Sequence, residues 1–177
     1  MIIKKGTELS ISELRQIHEA ISREFKASPL SQDDLNRKLF FLLQEDKKIL
    51  AMGALNEIKS VLFNNECFTF FGIENVLANL KGRGYGKQVI SRIREYLLAH
   101  DRTGLGFCHL KNRGFYEKCG FQTSTEITQQ FVHRQDEKSI RNQDGQIVFY
   151  QESTDHFIQK VLGHPDQEVI LPMPVLW

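Results

Sequence analysis

Apolar positions recur at intervals of three and four between Ser10 and Lys26. Ile11, Leu14, Ile17, His18, Ile21 and Phe25 therefore share one face of a predicted helix. Ser10, with Glu13 three residues on, reads as a capping box, and Pro29 follows the helix end. A second short helix is predicted from Ser31, where Gln32-Asp33-Asp34 places negative charge in the first turn. The period then changes. Leu39 to Gln44 and Ile49 to Ile58 are apolar runs on either side of Glu45-Asp46-Lys47-Lys48, which predicts an antiparallel hairpin. Ser60 to Phe63 and Cys67 to Ala78 bracket a second turn signal, Asn64-Asn65. Gly72, inside the longer run, predicts a bulge there.

Helical spacing returns in Lys87 to His100, through Val89, Ile90, Ile93, Tyr96 and Leu97. Leu105 to Cys108 reads as a short buried strand, and Asn112 to Lys118 as a short helix with Gly120 placed to end it. Phe121 to Arg134 and Ile147 to Gln151 read as strands around a polar stretch that holds Asp144-Gly145, a hairpin signal. Ser153 to Leu162 predicts a last helix. The tail from Glu168 to Trp177, with Pro172 and Pro174, predicts extended chain. No repeat or linker interrupts the order αα, βββ, α, β, α, ββ. It implies an α/β class, one mixed sheet with helices on its faces. The 177 residues are expected to form a single domain, with residues 152–177 as an added helix plus tail.

Composition narrows the function classes. Hydrophobic residues make up 41% and charged residues 25%, as in a soluble globular protein. Lys plus Arg number 23 against 22 Asp plus Glu, a net charge of +1, which argues against nucleic-acid binding by bulk electrostatics. No apolar run reaches the ~20 residues of a spanning helix, so no membrane is expected. Met1 to Gly6 carries two lysines with no apolar stretch behind them, so no secretory signal is read there. The three cysteines show no CxxC spacing, which predicts no disulfide framework and a cytoplasmic location. Cys108, His109 and Cys119 do not match the usual zinc spacings, so no metal is expected.

Candidate chemistry concentrates in two stretches. The first is Lys81-Gly82-Arg83-Gly84-Tyr85-Gly86-Lys87, between an apolar strand and an amphipathic helix. Glycines at alternate positions allow positive φ and close approach of a ligand. The helix start offers unpaired N–H groups and a positive dipole end, which together suit phosphates. Lys81 to Arg94 holds five basic residues and no acid. A plain strand–helix turn with a solvated basic face is the bland alternative. The dinucleotide fingerprint G-x-G-x-x-G does not fit, because the third glycine comes one residue early. The P-loop does not fit either, since Gln88 follows Lys87. The second stretch is Asn112-Arg113-Gly114-Phe115-Tyr116-Glu117-Lys118-Cys119-Gly120-Phe121. Alone it reads as a short helix with Phe115 and Phe121 in the core and Tyr116 half-buried.

Together the two stretches resemble the GNAT superfamily of acetyl-CoA-dependent N-acyltransferases. That family carries Arg/Gln-x-x-Gly-x-Gly/Ala before its third helix and a Phe-Tyr-x-Lys-x-Gly-Phe-like segment some 30 residues later. Lys81 stands where Arg or Gln is usual, whereas Phe115 to Phe121 fits closely. The order of elements agrees from about Ile2 to Gln151. The resemblance implies a mostly antiparallel sheet and an enzyme that moves acetyl from acetyl-CoA to a primary amine by direct attack. Backbone amides of Gly82, Gly84, Tyr85 and Gly86 would hold the CoA pyrophosphate, with Lys81, Arg83 and Lys87 supplying charge. Val76, Leu77 and Ala78 would pair with the pantetheine arm. Tyr116 would protonate the leaving thiolate. Asn112, Phe115 and Lys118 flank it in the cofactor-contacting segment.

Other roles stay open at this level. Glu74, in Gly72-Ile73-Glu74-Asn75-Val76, matches an Ile-Glu-Asp/Asn-Ile/Val stretch that lines the acceptor site in some members. It is read either as catalytic or acceptor-binding, or as a solvated strand residue; an odd register shift would flip its face. His109 takes a position where many members carry Asn. It is read as a CoA contact or proton carrier, or as an exposed loop histidine. Cys108 reads as a small buried hydrophobe, and Phe25, Phe40 and Phe41 as core. Residues 152–177 hold four acids and one lysine, a net −3 that would suit a cationic acceptor. Trp177 reads as a core or interface anchor. Dimers are common for the fold, and Phe-rich strands could supply a homodimer interface, but the sequence does not settle the oligomeric state. A CoA-binding module without catalysis is the alternative class; the intact Tyr116 weighs against it and Lys81 for it.

Overall fold

The computed structural model describes residues 1–135, 138–141 and 145–172. The chain opens on a strand absent from the sequence expectations, β1 (Ile2–Lys5). Its two isoleucines are followed by Lys4-Lys5, too short an alternation to read alone. It is held by β2 (Lys38–Glu45), antiparallel, with Ile3 opposite Phe41. Next come α1 (Ile11–Phe25) and α2 (Gln32–Arg37). The Ser10–Glu13 capping box forms as expected: each side chain bonds the other's backbone N–H. Ser31 and Asp34 repeat the device on α2.

The remaining elements are β3 (Lys48–Phe63), β4 (Glu66–Ala78), α3 (Tyr85–Ala99), β5 (Gly104–His109), α4 (Arg113–Lys118), β6 (Gln122–Ser124), β7 (Phe131–Gln135), β8 (Lys138–Arg141), β9 (Gln146–Gln151), α5 (Phe157–Leu162) and β10 (Val169–Leu171). The two expected strands Ile49–Ile58 and Ser60–Phe63 are one, with Ser60 at φ 58 as a local irregularity. The first two turn signals hold. Asp46-Lys47 and Asn64-Asn65 all take positive φ, the requirement of the two-residue turn that matches strand twist. The expected strand Phe121–Arg134 is broken into β6, a 3-10 turn at Thr128–Gln130 and β7. Glu126 donates its N–H to the Ser124 hydroxyl and the Thr128 hydroxyl donates to the Ser124 carbonyl, so local polar bonds end the extended run.

The ten described strands form one hydrogen-bonded sheet, with β3 and β4 running through two compact units. The described ladders are antiparallel except β4–β5 and β7–β10. The expected mixed, mostly antiparallel α/β class therefore holds.

The first unit comprises Met1–Asn56 and Ile73–Ile93. One face of its strands buries Phe40, Leu42, Met52, Ala54 and Leu77 against Ile17, Ala20 and Ile21 of α1. Phe40 and Phe41 are core, as expected, but Phe25 is 46% exposed at the α1 terminus. The opposite face is set by Gly53. A Cβ there would lie 2.9 Å from Ile93 Cδ1 and 3.1 Å from Val89 Cγ1, both on α3, and 3.4 Å from Val76 Cγ2. The glycine inside an apolar strand is thus one place where α3 packs closely on the sheet.

The second unit comprises Glu57–Gly72 and the chain from Arg94 on. Its core is rich in phenylalanine. Phe157 of α5 stacks on Phe70 at 5.6 Å, while Phe63 and Phe131 meet it edge-on. Gln130, buried, holds the chain that follows α5 by donating to the carbonyls of His164 (2.8 Å) and Gln167 (3.0 Å).

Two outcomes follow. Gly53→Val should overpack the sheet–α3 contact and lower stability by about 1–3 kcal/mol, read from urea unfolding. Glu13 is the second. Burial opposes its charge, but Lys4, the Ser10 amide, Gln44 and the Ser10 hydroxyl overrule it and lower its pKa from 4.5 to about 2. A depressed carboxyl stabilises the fold above its unfolded pKa and loses that contribution as pH falls toward the folded value. Stability should therefore decline between about pH 4.5 and 2. Glu13→Gln should be less stable at neutral pH and show a shallower decline over that range, measured by thermal unfolding at each pH.

Candidate active site

In the first unit, β4 departs from simple alternation at one residue. Leu77 faces α1, and three residues earlier Glu74 should face the other way. It does not, because Asn75 takes φ 53, a left-handed kink of the kind that marks a bulge. The irregularity thus falls at Asn75 and not at Gly72. Gly72 sits in the β4–β5 ladder opposite Leu105.

The kink puts the Glu74 carboxylate beside two residues that sequence reasoning missed. Lys38 and Asn56 are direct cross-strand partners on β2 and β3. Lys38 Nζ lies 2.6 Å from Glu74 Oε2, and Asn56 Nδ2 donates to Glu74 Oε1 at 3.0 Å. The Lys38 and Glu74 side chains are 7% and 8% exposed and Asn56 5%, so the reading of Glu74 as a solvated strand residue is corrected. Asn56 Oδ1 is also buried and has no hydrogen-bond partner among the described residues. Lys38 stands one residue before the apolar run Leu39 to Gln44, and no local pattern in the sequence singles it out.

Beyond β4, the glycine loop is built by handedness. Gly82 and Gly84 take φ 76 and 74, and a Cβ at either would meet nothing within 4 Å. The glycines are required by backbone conformation rather than by a crowded neighbour. Gln88 N donates to Gly84 O at 3.1 Å as α3 begins. The loop entrance is tied to the first hairpin and to α1. Asn79 N donates to Leu50 O at 2.8 Å, its side-chain amide bonds Ile49 O, and Arg23 reaches its Oδ1. Lys81 is not a spare charge: its Nζ pairs with Glu24 at 2.6 Å. Arg83 and Lys87 are exposed, and Tyr85 and Gly86 half-buried. Val76 and Ala78 are half-buried and Leu77 is core.

In the second unit, the stretch from Arg113 to Phe121 is a helix closed by a complete stop signal. Phe121 N bonds Tyr116 O, Gly120 N bonds Glu117 O, and Gly120 takes φ 87. Arg94 packs over the glycine, where a Cβ would lie 3.1 Å from its guanidinium carbon. Tyr116 is buried and stacked on Phe149 with ring centroids 3.6 Å apart. Phe115 and Phe121 meet its ring edge-on. Burial pushes the phenol well above its usual range, and the neighbouring Cys108 and Cys119 push the same way. The proton therefore stays on Tyr116 at neutral pH. Burial also pushes the Cys108 thiol up to about 12, so it is a poor nucleophile, consistent with a packing role. His109 is exposed at the end of β5, opposite Gln146. Asn112 and Lys118 are exposed, and Phe115 is 39% exposed rather than core.

The predicted residues thus fall in two groups. Glu74, Val76–Ala78 and the glycine loop belong to the first unit, and Tyr116 with His109, Asn112, Phe115 and Lys118 to the second. Asp144 and the tail 173–177, with Pro174 and Trp177, lie outside the described residues. No helix among the described residues is long and apolar enough to cross a membrane.

The architecture has solved counterparts. An acyl-CoA N-acyltransferase from Pseudomonas aeruginosa is similar at TM-score 0.60 and 17% identity, over 85% of this chain and 97% of that one. ElaA from Escherichia coli is similar at TM-score 0.61 and 19% identity, over 85% and 97%. The Escherichia coli GNAT family N-acetyltransferase YhbS, solved in complex with CoA, is similar at TM-score 0.58 and 12% identity, over 96% and 87%. At these identities the likeness is one of fold. No curated protein matches the chain. The sequence pattern of the acetyltransferase (GNAT) family matches residues 10–121, from the cap of α1 through the glycine loop to the end of the tyrosine motif. The chain belongs to the acetyltransferase (GNAT) family.

Proposed function

We propose that the protein is an N-acetyltransferase that moves an acetyl group from acetyl-CoA to a primary amine by direct attack through a tetrahedral intermediate. The observation that carries the reading is the left-handed glycine loop opening α3, directly after the kinked strand β4. The loop directs unpaired amides and the positive end of a 15-residue helix to one place, which suits the CoA pyrophosphate. Amides of Gly82, Gly84, Tyr85 and Gly86 do the holding. Arg83 and Lys87 add exposed positive charge, and Lys81 acts with Glu24 to set the loop entrance.

The pantetheine arm extends along Val76, Leu77 and Ala78 as an added strand, and a strand amide there meets the thioester carbonyl. An N–H held in that position stabilises the oxyanion as the amine attacks. The C–S bond then breaks, and the thiolate leaves. Tyr116, whose phenol keeps its proton, supplies the hydrogen that the thiolate takes. Phe115, Asn112, Lys118 and His109 border the same donor. Glu74 lies on the acceptor side. No covalent enzyme intermediate is used, in keeping with the raised Cys108 thiol. The reading takes residues 1–177 as one cytoplasmic acetyltransferase domain.

Tyr116→Phe should lower kcat by about 10²-fold or more on an accepted amine while CoA affinity stays within about threefold, measured by thiol release and CoA titration. Unchanged kcat would remove Tyr116 as the acid. Gly84→Val, which forces a branched residue into positive φ, should weaken CoA binding at least about tenfold with the fold retained by circular dichroism.

A further inference from the structure

Both ends of the glycine loop are fixed within the first unit. At its exit, Gln88 N donates to Gly84 O at 3.1 Å, and Val89 and Ile93 of α3 pack on the sheet at Gly53. Asn79 fixes its entrance. The Asn79 N–H donates to Leu50 O at 2.8 Å, its Nδ2 donates to Ile49 O at 2.6 Å, and its Oδ1 accepts from Arg23. Arg23 and its neighbour Glu24 stand in the last turn of α1. Glu24 holds the Lys81 ammonium at 2.6 Å. Two adjacent residues of one helix therefore grip two residues of the loop entrance. We propose that Arg23 and Glu24 are positioning residues for the CoA donor: through Asn79 and Lys81 they hold the glycine loop in its binding form, and Lys81 contributes by its place rather than by charge on the phosphate. This rests on the acetyl-transfer reading above.

Glycine freedom supplies the reason. Gly82 and Gly84 take positive φ, and a Cβ at either would meet nothing within 4 Å, so no packed neighbour keeps the loop in shape. A glycine segment that is loose before binding must be ordered on binding, and the entropy lost is subtracted from affinity. The restraint must come from the residues on either side, and on the entrance side it comes from α1. Charge in the last turn of α1 points the same way. A helix C-terminus favours cations and disfavours carboxylates, so Arg23 suits its place and Glu24 does not. Lys81 supplies the cation that offsets Glu24. Drawing Lys81 away to a phosphate would leave a carboxylate bare at a negative helix end. Arg83 and Lys87, both exposed, are the loop cations left for the pyrophosphate. The Glu24–Lys81 pair is itself exposed, and such pairs add little to folding stability. Its loss is therefore read in CoA affinity and hardly in unfolding.

The test is calorimetric titration of the full chain with CoA, with thermal unfolding of the ligand-free chain as the check on folding. Glu24→Gln should weaken CoA binding at least about threefold while the unfolding temperature stays at the wild-type value. The double variant Glu24→Lys with Lys81→Glu reverses the pair and keeps it, and should bind CoA within about twofold of wild type. A lysine that held the phosphate directly would behave in the opposite way. Glu24→Gln would then free it, so that affinity stayed level or rose, and the reversed pair would set a carboxylate against the phosphate and bind no better than Glu24→Gln. Either result would overturn the proposal. Asn79→Leu removes both side-chain bonds without adding charge, and should weaken CoA at least about tenfold in the folded protein. Lower stability with wild-type affinity would make Asn79 a purely structural residue and refute its part in the inference. If Asn79→Leu does not fold, the two variants of the exposed pair decide the question. A wild-type chain that binds no CoA would reject the acetyl-transfer reading itself, whereas wild-type binding that Glu24→Gln leaves unchanged rejects this inference alone.

Discussion

One left-handed residue, Asn75, decides how β4 presents its side chains. Without it, strict alternation would send Glu74 to the α3 face, away from Lys38 and Asn56. The kink resets the count. Val76 stays toward α3, while both Leu77 and Glu74 turn to the α1 face. The apolar cluster and the buried ion pair therefore share a face through a single backbone torsion. Asn is among the few residue types that enter this region at modest cost, because its short polar side chain can bond locally.

Backbone handedness governs the two motifs in the same way. In the glycine loop, Gly82 and Gly84 take positive φ in open space, and α3 starts directly after them at Tyr85. In the tyrosine motif, positive φ at Gly120 stops α4 and brings Phe121 back onto Tyr116. Tyr116 is then held by ring stacking on Phe149. Desolvation of the phenol comes with this packing, so the retained proton is a consequence of how the helix ends.

What could be read along the chain was whatever local spacing determines. The capping boxes at Ser10 and Ser31, both positive-φ hairpin turns, the α3 stripe and the glycine after α4 depend on residues within one turn of each other. The strand β1 was not readable, since its stability comes from a partner about forty residues away. The break between Gln122–Ser124 and Phe131–Gln135 was hidden by apolar and β-prone residues that mask local hydroxyl bonds. In the candidate site, the motif residues were legible and the Glu74 environment was not. Lys38, Asn56 and Glu74 are brought together by two strand pairings and one kink, none of which leaves a local pattern. The kink was expected at Gly72 because glycine is the usual marker, and Asn75 took the role instead.

Two ion pairs of the first unit, the half-exposed Lys4–Glu13 and the buried Lys38–Glu74, differ in what the fold asks of them. Lys4–Glu13 has a structural role, because the carboxylate caps α1 through Ser10 and joins it to β1 through Lys4. Lys38 is the C-cap of α2 through its backbone N–H, which bonds Leu35 O, but its side-chain pair with Glu74 is separate from that cap. The pair sits on a face where Phe40, Leu42, Ala54 and Leu77 show that apolar side chains pack without difficulty. Taking two such charges out of water costs several kcal/mol per ion before their attraction is counted, and well-packed apolar replacements are often neutral or stabilising. Packing alone therefore gives no reason for charge at Lys38 and Glu74. Matched charge there holds the Glu74 carboxylate in place, with Lys38 on one oxygen and Asn56 on the other.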